Sequence, residues 1–289
     1  MCELLAMSAR RPATVTFSLE EFSRHGGLSG PHKDGWGIAF YQDRDARTIR
    51  ETLPAASSAC ERFLESEPIR SSLVLSHIRR ATQGAVSLEN TQPFTRELGG
   101  RRHVFAHNGN LDQAGLSRFP LGRFRMLGET DSERAFCVLL ARLEELWLGR
   151  GEPRHPTREA RREIIEHFAF DLRRLGMANF LYTDGEMLFA HGHRRNQDDG
   201  TVRPPGLHVL CRRCTDDSGA NIDSRGFHLA SGRPKEQSIV LSASVPLTDE
   251  SWQALDEGEI LSVVAGELLP DTDTDTEPLA KATPESSRT

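Results

Sequence analysis

Apolar residues in this chain cluster in two ways. Short runs closed by turn residues or charge read as strands, and longer stretches opened by a capping residue read as helices. Cys2 to Ser8 is a short apolar run suited to a buried first strand. Ser18 and Glu21 stand at capping-box spacing and predict a short helix ending near Gly26-Gly27. Glycines between Gly30 and Gly37 mark a tight turn ahead of a strand over Ile38–Tyr41. A second capping box, Ser58 with Glu61, opens a helix to about Glu65. Ser72 to Arg79 reads as a buried strand ending in charge, Thr91 to Phe94 as a loop, and His103 to His107 as a strand running into Asn108-Gly109-Asn110.

A third capping box, Thr130 with Glu133, precedes a helix to Leu148. A Gly/Pro/Arg-rich loop to Thr157 separates it from a second long helix, Arg158 to Leu175. Asn179–Thr183, Asp184-Gly185 and Glu186–Ala190 form the clearest hairpin signal in the chain. Short strands are expected near Leu207–Arg212, Phe227–Ala230, Ser238–Ser242 and Glu259–Val264. Strands thus flank two central helices, which predicts an α+β arrangement of layered sheets and helices in one domain. From Pro270 onward Asp, Thr, Glu, Ser and Pro dominate, so 270–289 is expected to be a disordered acidic tail.

Composition narrows the function classes. The chain has 289 residues, 27% charged and 37% hydrophobic, an ordinary balance for a soluble domain. A net charge of -6 gives no basic footprint for nucleic acid. No apolar run reaches the roughly 20 residues of a membrane span, and no signal peptide is visible. Five cysteines without dense spacing fit a reducing cytoplasm.

Candidate chemistry begins at Cys2. It follows the initiator methionine and is small enough for that methionine to be removed. Trimming leaves a thiol and a free α-amine on one residue, a nucleophile next to its own base. Asn108-Gly109 at a strand end is either a turn dipeptide or a pair of donors aimed at an oxyanion. Arg79 and Arg80 are either solvated charge at a strand terminus or a guanidinium fork for a carboxylate. Asp131 suits a helix start on electrostatic grounds alone, and also suits a substrate ammonium. Cys211 and Cys214 form a lone CxxC, and His191, His193 and His208 add no standard metal spacing, so no metal or other cofactor is expected. Cys60 and Cys137 sit in apolar helical surroundings and are expected in the core. Gly26 to Gly30 lacks the Lys-Ser/Thr ending of a phosphate loop.

Together these pieces resemble the class II glutamine amidotransferases, which use an N-terminal nucleophile. Cys2 is the first matching element. Ser76-His-Ile-Arg-Arg-Ala-Thr82 resembles the family's arginine motif, His107-Asn-Gly109 its oxyanion motif, and Glu129-Thr-Asp-Ser-Glu133 its acidic motif, all in the family's order. The longer strings MCELLAMSA, GPHKDGWGIAFY, ENTQPFTREL and GETDSERAFC resemble the stand-alone YafJ-type subgroup, and the similarity covers residues 2–266. Arg80 and Gln83 depart from relatives that carry a synthase domain, where Trp and His are frequent.

The resemblance implies a four-layer αββα sandwich. It implies Cys2 as nucleophile with its α-amine as base, Asn108 and Gly109 as oxyanion hole, Arg79 for the glutamine α-carboxylate and Asp131 for its α-ammonium. Three readings follow: a glutaminase subunit feeding ammonia to a separate synthase, a hydrolase of another γ-glutamyl compound such as a thiol metabolite, or a non-catalytic binding protein on this fold.

Overall fold

The computed structural model describes residues 2–67, 69–149, 154–197, 199–214 and 237–270. The expected strand Phe227–Ala230 and the tail beyond Pro270 lie outside these residues. The first part of the chain runs β1 (Glu3–Ala13), α1 (Thr16–His25), β2 (Trp36–Gln42), β3 (Asp45–Glu51), α2 (Ala59–Ser66) and β4 (Ser71–Ile78). Then come β5 (Phe94–Leu98), β6 (Arg101–Leu111), a one-turn α3 (Gln113–Leu116), α4 (Asp131–Leu148) and α5 (Arg158–Arg173). The last part is β7 (Gly176–Thr183), β8 (Met187–His191), β9 (Arg195–Asn196), β10 (Val202–Arg203), β11 (His208–Cys214), β12 (Gln237–Ala243), β13 (Gln253–Ala254), β14 (Ile260–Val264) and β15 (Glu267–Leu268).

Two antiparallel sheets carry the architecture. One has the order β13-β11-β12-β1-β4-β2-β3 and the other β15-β14-β8-β7-β6-β5. Strand alternation assigns each layer its core. Leu4 and Ala6 of β1, Leu73 and Leu75 of β4, and Val104, Ala106 and Leu181 of the second sheet pack between the sheets. On the outer face of the first sheet, Met7, Ile38, Phe40 and Val74 pack with Leu64 of α2, and Leu5 and Ile78 pack with Phe22 of α1. On the outer face of the second, Phe105 stacks on Phe136 of α4 at 5.4 Å, and Phe168 of α5 meets Phe180 of β7. The order helix, sheet, sheet, helix is the four-layer αββα sandwich. Among the described residues no helix is long and apolar enough to cross a membrane.

The predicted helix starts hold where a side chain caps. Ser58 Oγ accepts the Glu61 N–H at 3.0 Å, and Thr130 Oγ1 accepts the Glu133 N–H at 3.2 Å. The first capping box does not form: α1 begins at Thr16, so Ser18 lies inside the helix. Cys60 is exposed rather than in the core, because α2 has only two turns and packs through Leu64, whereas Cys137 is fully buried. The charged strand β3 and the short β5 carry no apolar run and went unpredicted; both are edge strands, where charge and brevity discourage further pairing.

The predicted hairpin forms with Asp184 as its keystone. Asp184 Oδ1 accepts the backbone N–H groups of Glu186 and Met187, each at 3.0 Å, and Gly185 takes φ +88°. Asp184 Oδ2 meets the fully buried Arg161 of α5 at 2.9 Å, and the guanidinium also lies 5.7 Å from the Trp147 ring centroid. Removing one partner of a buried pair leaves the other charge uncompensated. Arg161→Met is therefore expected to lower unfolding free energy by about 3–5 kcal/mol, read from urea denaturation. A loss below 1 kcal/mol would show that the hairpin does not depend on this pair.

Candidate active site at one end of the sandwich

Four strand ends of the first sheet line up at one edge. Ile78, at the end of β4, pairs with Glu3 at the start of β1, and Ala243, at the end of β12, pairs with Leu5 on one side and His208 on the other. Arg79 and Cys2, just past two of these ends, therefore stand side by side, whereas Ser244, just past the end of β12, stands opposite Leu4 and donates its N–H to the Leu4 carbonyl at 3.0 Å. Cys2 is half-buried beside the chain leaving β4: the Arg80 N–H donates to its Sγ at 3.4 Å, and the Arg80 carbonyl lies 3.5 Å from the sulfur. Burial pushes the Cys2 thiol up from its ordinary value, partly offset by the Arg80 N–H and the Arg79 charge. A thiol in this position needs a base to become a nucleophile.

Asn108 reaches the same edge from the second sheet. It is fully buried on the inter-sheet face of β6, where its Nδ2 donates to Ser244 Oγ at 3.4 Å and its Oδ1 has no partner among the described residues. Ser244 Oγ also accepts the Leu4 N–H at 3.0 Å, so one hydroxyl ties the Asn108 amide to the residue two places after Cys2. Asn179 on β7 holds the Asn108 backbone, donating to its carbonyl at 3.0 Å. At Gly109 a Cβ would collide with the Met177 carbonyl and crowd His107 Nε2, so the close approach of β6 and β7 requires glycine.

Asp131 opens α4 and ties it to the end of β6. Its Oδ2 accepts the Leu111 N–H at 2.7 Å and its Oδ1 the Ser132 N–H at 2.8 Å. Ser132 Oγ lies 2.9 Å from His107 Nδ1, and His107 Nε2 donates to the Met177 carbonyl at 3.1 Å. Burial holds His107 below its ordinary value, so the ring is neutral, with its proton on Nε2. Gln92 completes this support with both ends of its amide: Oε1 accepts the His107 N–H at 2.6 Å and Nε2 donates to the His107 carbonyl at 3.1 Å.

Arg79 is buried and directed at its own loop. Its guanidinium donates to the carbonyls of Ala85 at 2.8 Å, Gln83 at 3.1 Å and Gly84 at 3.2 Å. The Ala85 N–H in turn donates to Glu129 Oε1 at 3.0 Å, and Asn90 bridges the Ala85 carbonyl and the Glu129 N–H. Gln83 spans the loop, donating to Asn110 Oδ1 and accepting from Gln113 Nε2. The structure thus gathers all five sequence-derived candidates at one end: Cys2 beside Arg79-Arg80, and Asn108-Gly109 beside Asp131, joined through Ser244 and Gln83. Sequence reasoning did not single out Ser244, Asn179, Gln92 or Ser132. Gln92 and Ser132 lie inside the strings ENTQPFTREL and GETDSERAFC, and Asn179 is a buried amide inside a strand pattern, so Ser244 alone of the four lacked a local signal. Cys211 is exposed on β11, and its CxxC lies along an extended strand.

Comparison with known proteins bears on the family and the fold. A family model of the class-II glutamine amidotransferases matches residues 1–287. The YafJ protein of Escherichia coli (strain K12) is 38% identical over 272 residues, covering 93% of this chain and 100% of that protein. The MJ1515 protein of Methanocaldococcus jannaschii is 31% identical, covering 93% of this chain and 71% of that one. The crystal structure of a predicted glutamine amidotransferase from Pseudomonas aeruginosa PA01 superposes with a TM-score of 0.65 at 32% identity, covering 93% of this chain and 100% of that chain. The phosphoribosylpyrophosphate amidotransferase of B. subtilis, at 16% identity and a TM-score of 0.54 over 93% of this chain and 48% of that chain, shares the fold. The match along nearly the whole sequence, to a family whose fold is the one observed, means that this chain belongs to the class-II glutamine amidotransferases.

Proposed function

We propose that the protein cleaves the γ-amide of glutamine, or of a related γ-glutamyl compound, through a thioester on Cys2. The observation that supports this reading is the Ser244 bridge, which ties the Asn108 amide to Leu4 near the start of β1, two residues from Cys2. Once Met1 is removed, the Cys2 α-amine, titrating at about 7.7–8.0, is matched to take the thiol proton near neutral pH. Cys2 Sγ attacks the γ-carbonyl carbon. Charge developing on the carbonyl oxygen is met by Asn108 Nδ2 and the Gly109 N–H. The C–N bond then breaks, the α-ammonium returns its proton to the departing nitrogen, and ammonia leaves. Water, deprotonated by the same amine, hydrolyses the thioester to glutamate and restores the thiol.

Arg79 and Asp131 bracket the amino-acid end of the substrate. Arg79 spends three donors on neutral carbonyls and keeps others for the α-carboxylate. Asp131 is buried at the same end, with Leu111 and Ser132 fixing its orientation. In this reading ammonia is released to water or to a separate synthase subunit. Ammonia release from glutamine, compared with turnover of other γ-glutamyl amides by the purified protein, tests it directly.

Cys2→Ala is expected to leave a folded protein with no γ-glutamyl hydrolase activity; residual turnover in that variant, or its loss in Cys211→Ala instead, would displace the nucleophile. Asn108→Ala is expected to lower kcat by about 10²–10³ with little change in KM, whereas Arg79→Lys acts mainly on KM because the planar fork is lost. Exchange of those two signatures in steady-state kinetics would reverse the assigned roles. The active protein, weighed intact by mass spectrometry, is expected to lack Met1, and an uncleavable N-terminal tag is expected to abolish activity. Full activity with the tag in place would rule out the α-amine as base.

A further inference from the structure

The backbone of β6 alternates its partners as it passes the site. His107 directs its N–H and C=O away from β7, to the two ends of the Gln92 amide. Further on, Leu111 sends its N–H to Asp131 Oδ2, and the next N–H, from Asp112, goes to the Leu175 carbonyl just before β7. In an extended strand the N–H and C=O of one residue point to the same side, and successive residues alternate. His107, Gly109 and Leu111 therefore face one edge of β6, while Asn108, Asn110 and Asp112 face β7. The Gly109 N–H points out between Gln92 and Asp131, on the edge where the substrate's α-ammonium is assigned.

The peptide that carries this N–H begins at the Asn108 carbonyl. A trans peptide is planar, so its C=O and N–H point in opposite directions. Whatever holds the Asn108 carbonyl toward β7 aims the Gly109 N–H at the opposite edge. Asn179 is the residue opposite Asn108 in the register; it is fully buried, and its Nδ2 donates to the Asn108 carbonyl at 3.0 Å. The Asn179 amide is itself immobilised. Nδ2 also donates to the Arg194 carbonyl at 2.8 Å, which uses the second proton, and Oδ1 accepts the His193 N–H at 2.8 Å. Gly206 closes over the amide, since a Cβ there would run into Asn179 Oδ1. Ser244, by contrast, acts on the Asn108 side chain. The two donors of the oxyanion hole thus have separate supports.

We propose that Asn179 is a positioning residue for the reaction: by fixing the plane of the Asn108–Gly109 peptide it aims the Gly109 N–H at the oxyanion. This rests on the role given to Asn108 and Gly109 in the γ-glutamyl hydrolase reading, and adds to it a residue that acts through the backbone.

Asn108-Gly109 is the only Asn-Gly pair in the chain, so protein made with carbonyl-labelled asparagine and nitrogen-labelled glycine gives one coupled amide signal in NMR, that of Gly109. Glutamate, the product, places an anionic γ-oxygen where the oxyanion forms. Saturating glutamate is expected to move the signal downfield in the wild type, and to move it less in Asn179→Ala and Asn179→Asp. Both variants are expected to lower kcat for glutamine by about 10–100-fold with KM unchanged, a smaller loss than the ~10²–10³-fold of a donor removed outright. Variants that are folded by their melting curves and keep kcat, or whose loss is confined to KM, overturn the proposal. So does a wild-type Gly109 signal that glutamate leaves in place, a result that needs no variant to fold. Absence of turnover on every γ-glutamyl compound overturns the hydrolase reading and this inference with it, whereas wild-type turnover matched by the kcat of folded Asn179 variants overturns this inference alone.

Discussion

The first strand is hydrogen-bonded on both sides from its opening residues. β1 pairs with β4 from Glu3 onward, and on its other side Ser244 donates its N–H to the Leu4 carbonyl just past the end of β12. Chain termini ordinarily fray, because few contacts oppose the entropy of the last residues. Here β1, the first strand, is the centre of a seven-stranded sheet, so its position is set by the ladders of two neighbours. A register slip by one residue would exchange Leu4 and Ala6 with Leu5 and Met7 between the inter-sheet core and the helix-facing core. The packing that stabilises the sandwich is therefore the same constraint that aims the thiol.

Polar side chains do for the loops what ladders do for the strands. At the site end the backbone leaves the sheets, and its N–H and C=O groups need other partners. Gln92 pairs with both backbone groups of His107 as a neighbouring strand would. Glu133, fully buried in the first turn of α4, accepts the N–H groups of Leu127 and Gly128 and an Arg96 guanidinium at 2.5 Å, which fixes the approach to Asp131. A neutral His107 links Ser132 to β7 without placing a second charge beside Asp131. Among the described residues, the buried polar atoms left without a partner around this frame include Asn108 Oδ1, Arg195 Nε, His193 Nδ1, His208 Nδ1 and both ring nitrogens of His77.

Much of this was legible in the sequence because the decisive signals are local. Thr130 and Glu133, three residues apart, announce the start of α4 and with it the place of Asp131. Asp184-Gly185 announces the hairpin that builds β7 and β8. The motif around Arg79 sits at the end of β4, where a hydrophobic run stops, whereas Asn108-Gly109, read as a strand end, lies within β6, which continues paired with β7 to Leu111. What escaped detection depends on partners far along the chain. Ser244 meets Asn108 across 136 residues, and a lone serine carries no pattern that singles it out. Edge strands β3 and β5 hid because charge and short length, the features that protect an edge, erase the alternation that reveals a strand. Cys60 misled because a two-turn helix buries one narrow stripe, and the thiol lies outside it.

Gly109 and Cys2 answer to different selective pressures. Any side chain at Gly109 would collide with the Met177 carbonyl whether or not the protein catalyses anything. Asp131 and His107 likewise knit α4 to the sheet through Leu111, Ser132 and Met177. A descendant of this fold that lost its chemistry would still be pressed to keep these residues simply in order to fold. Cys2 has no such obligation, since among the described residues its sulfur is held by two long hydrogen-bond contacts, both with Arg80. In a lineage of such proteins the glycine and the acid therefore record descent, and the cysteine records whether the ancestral reaction is still under selection.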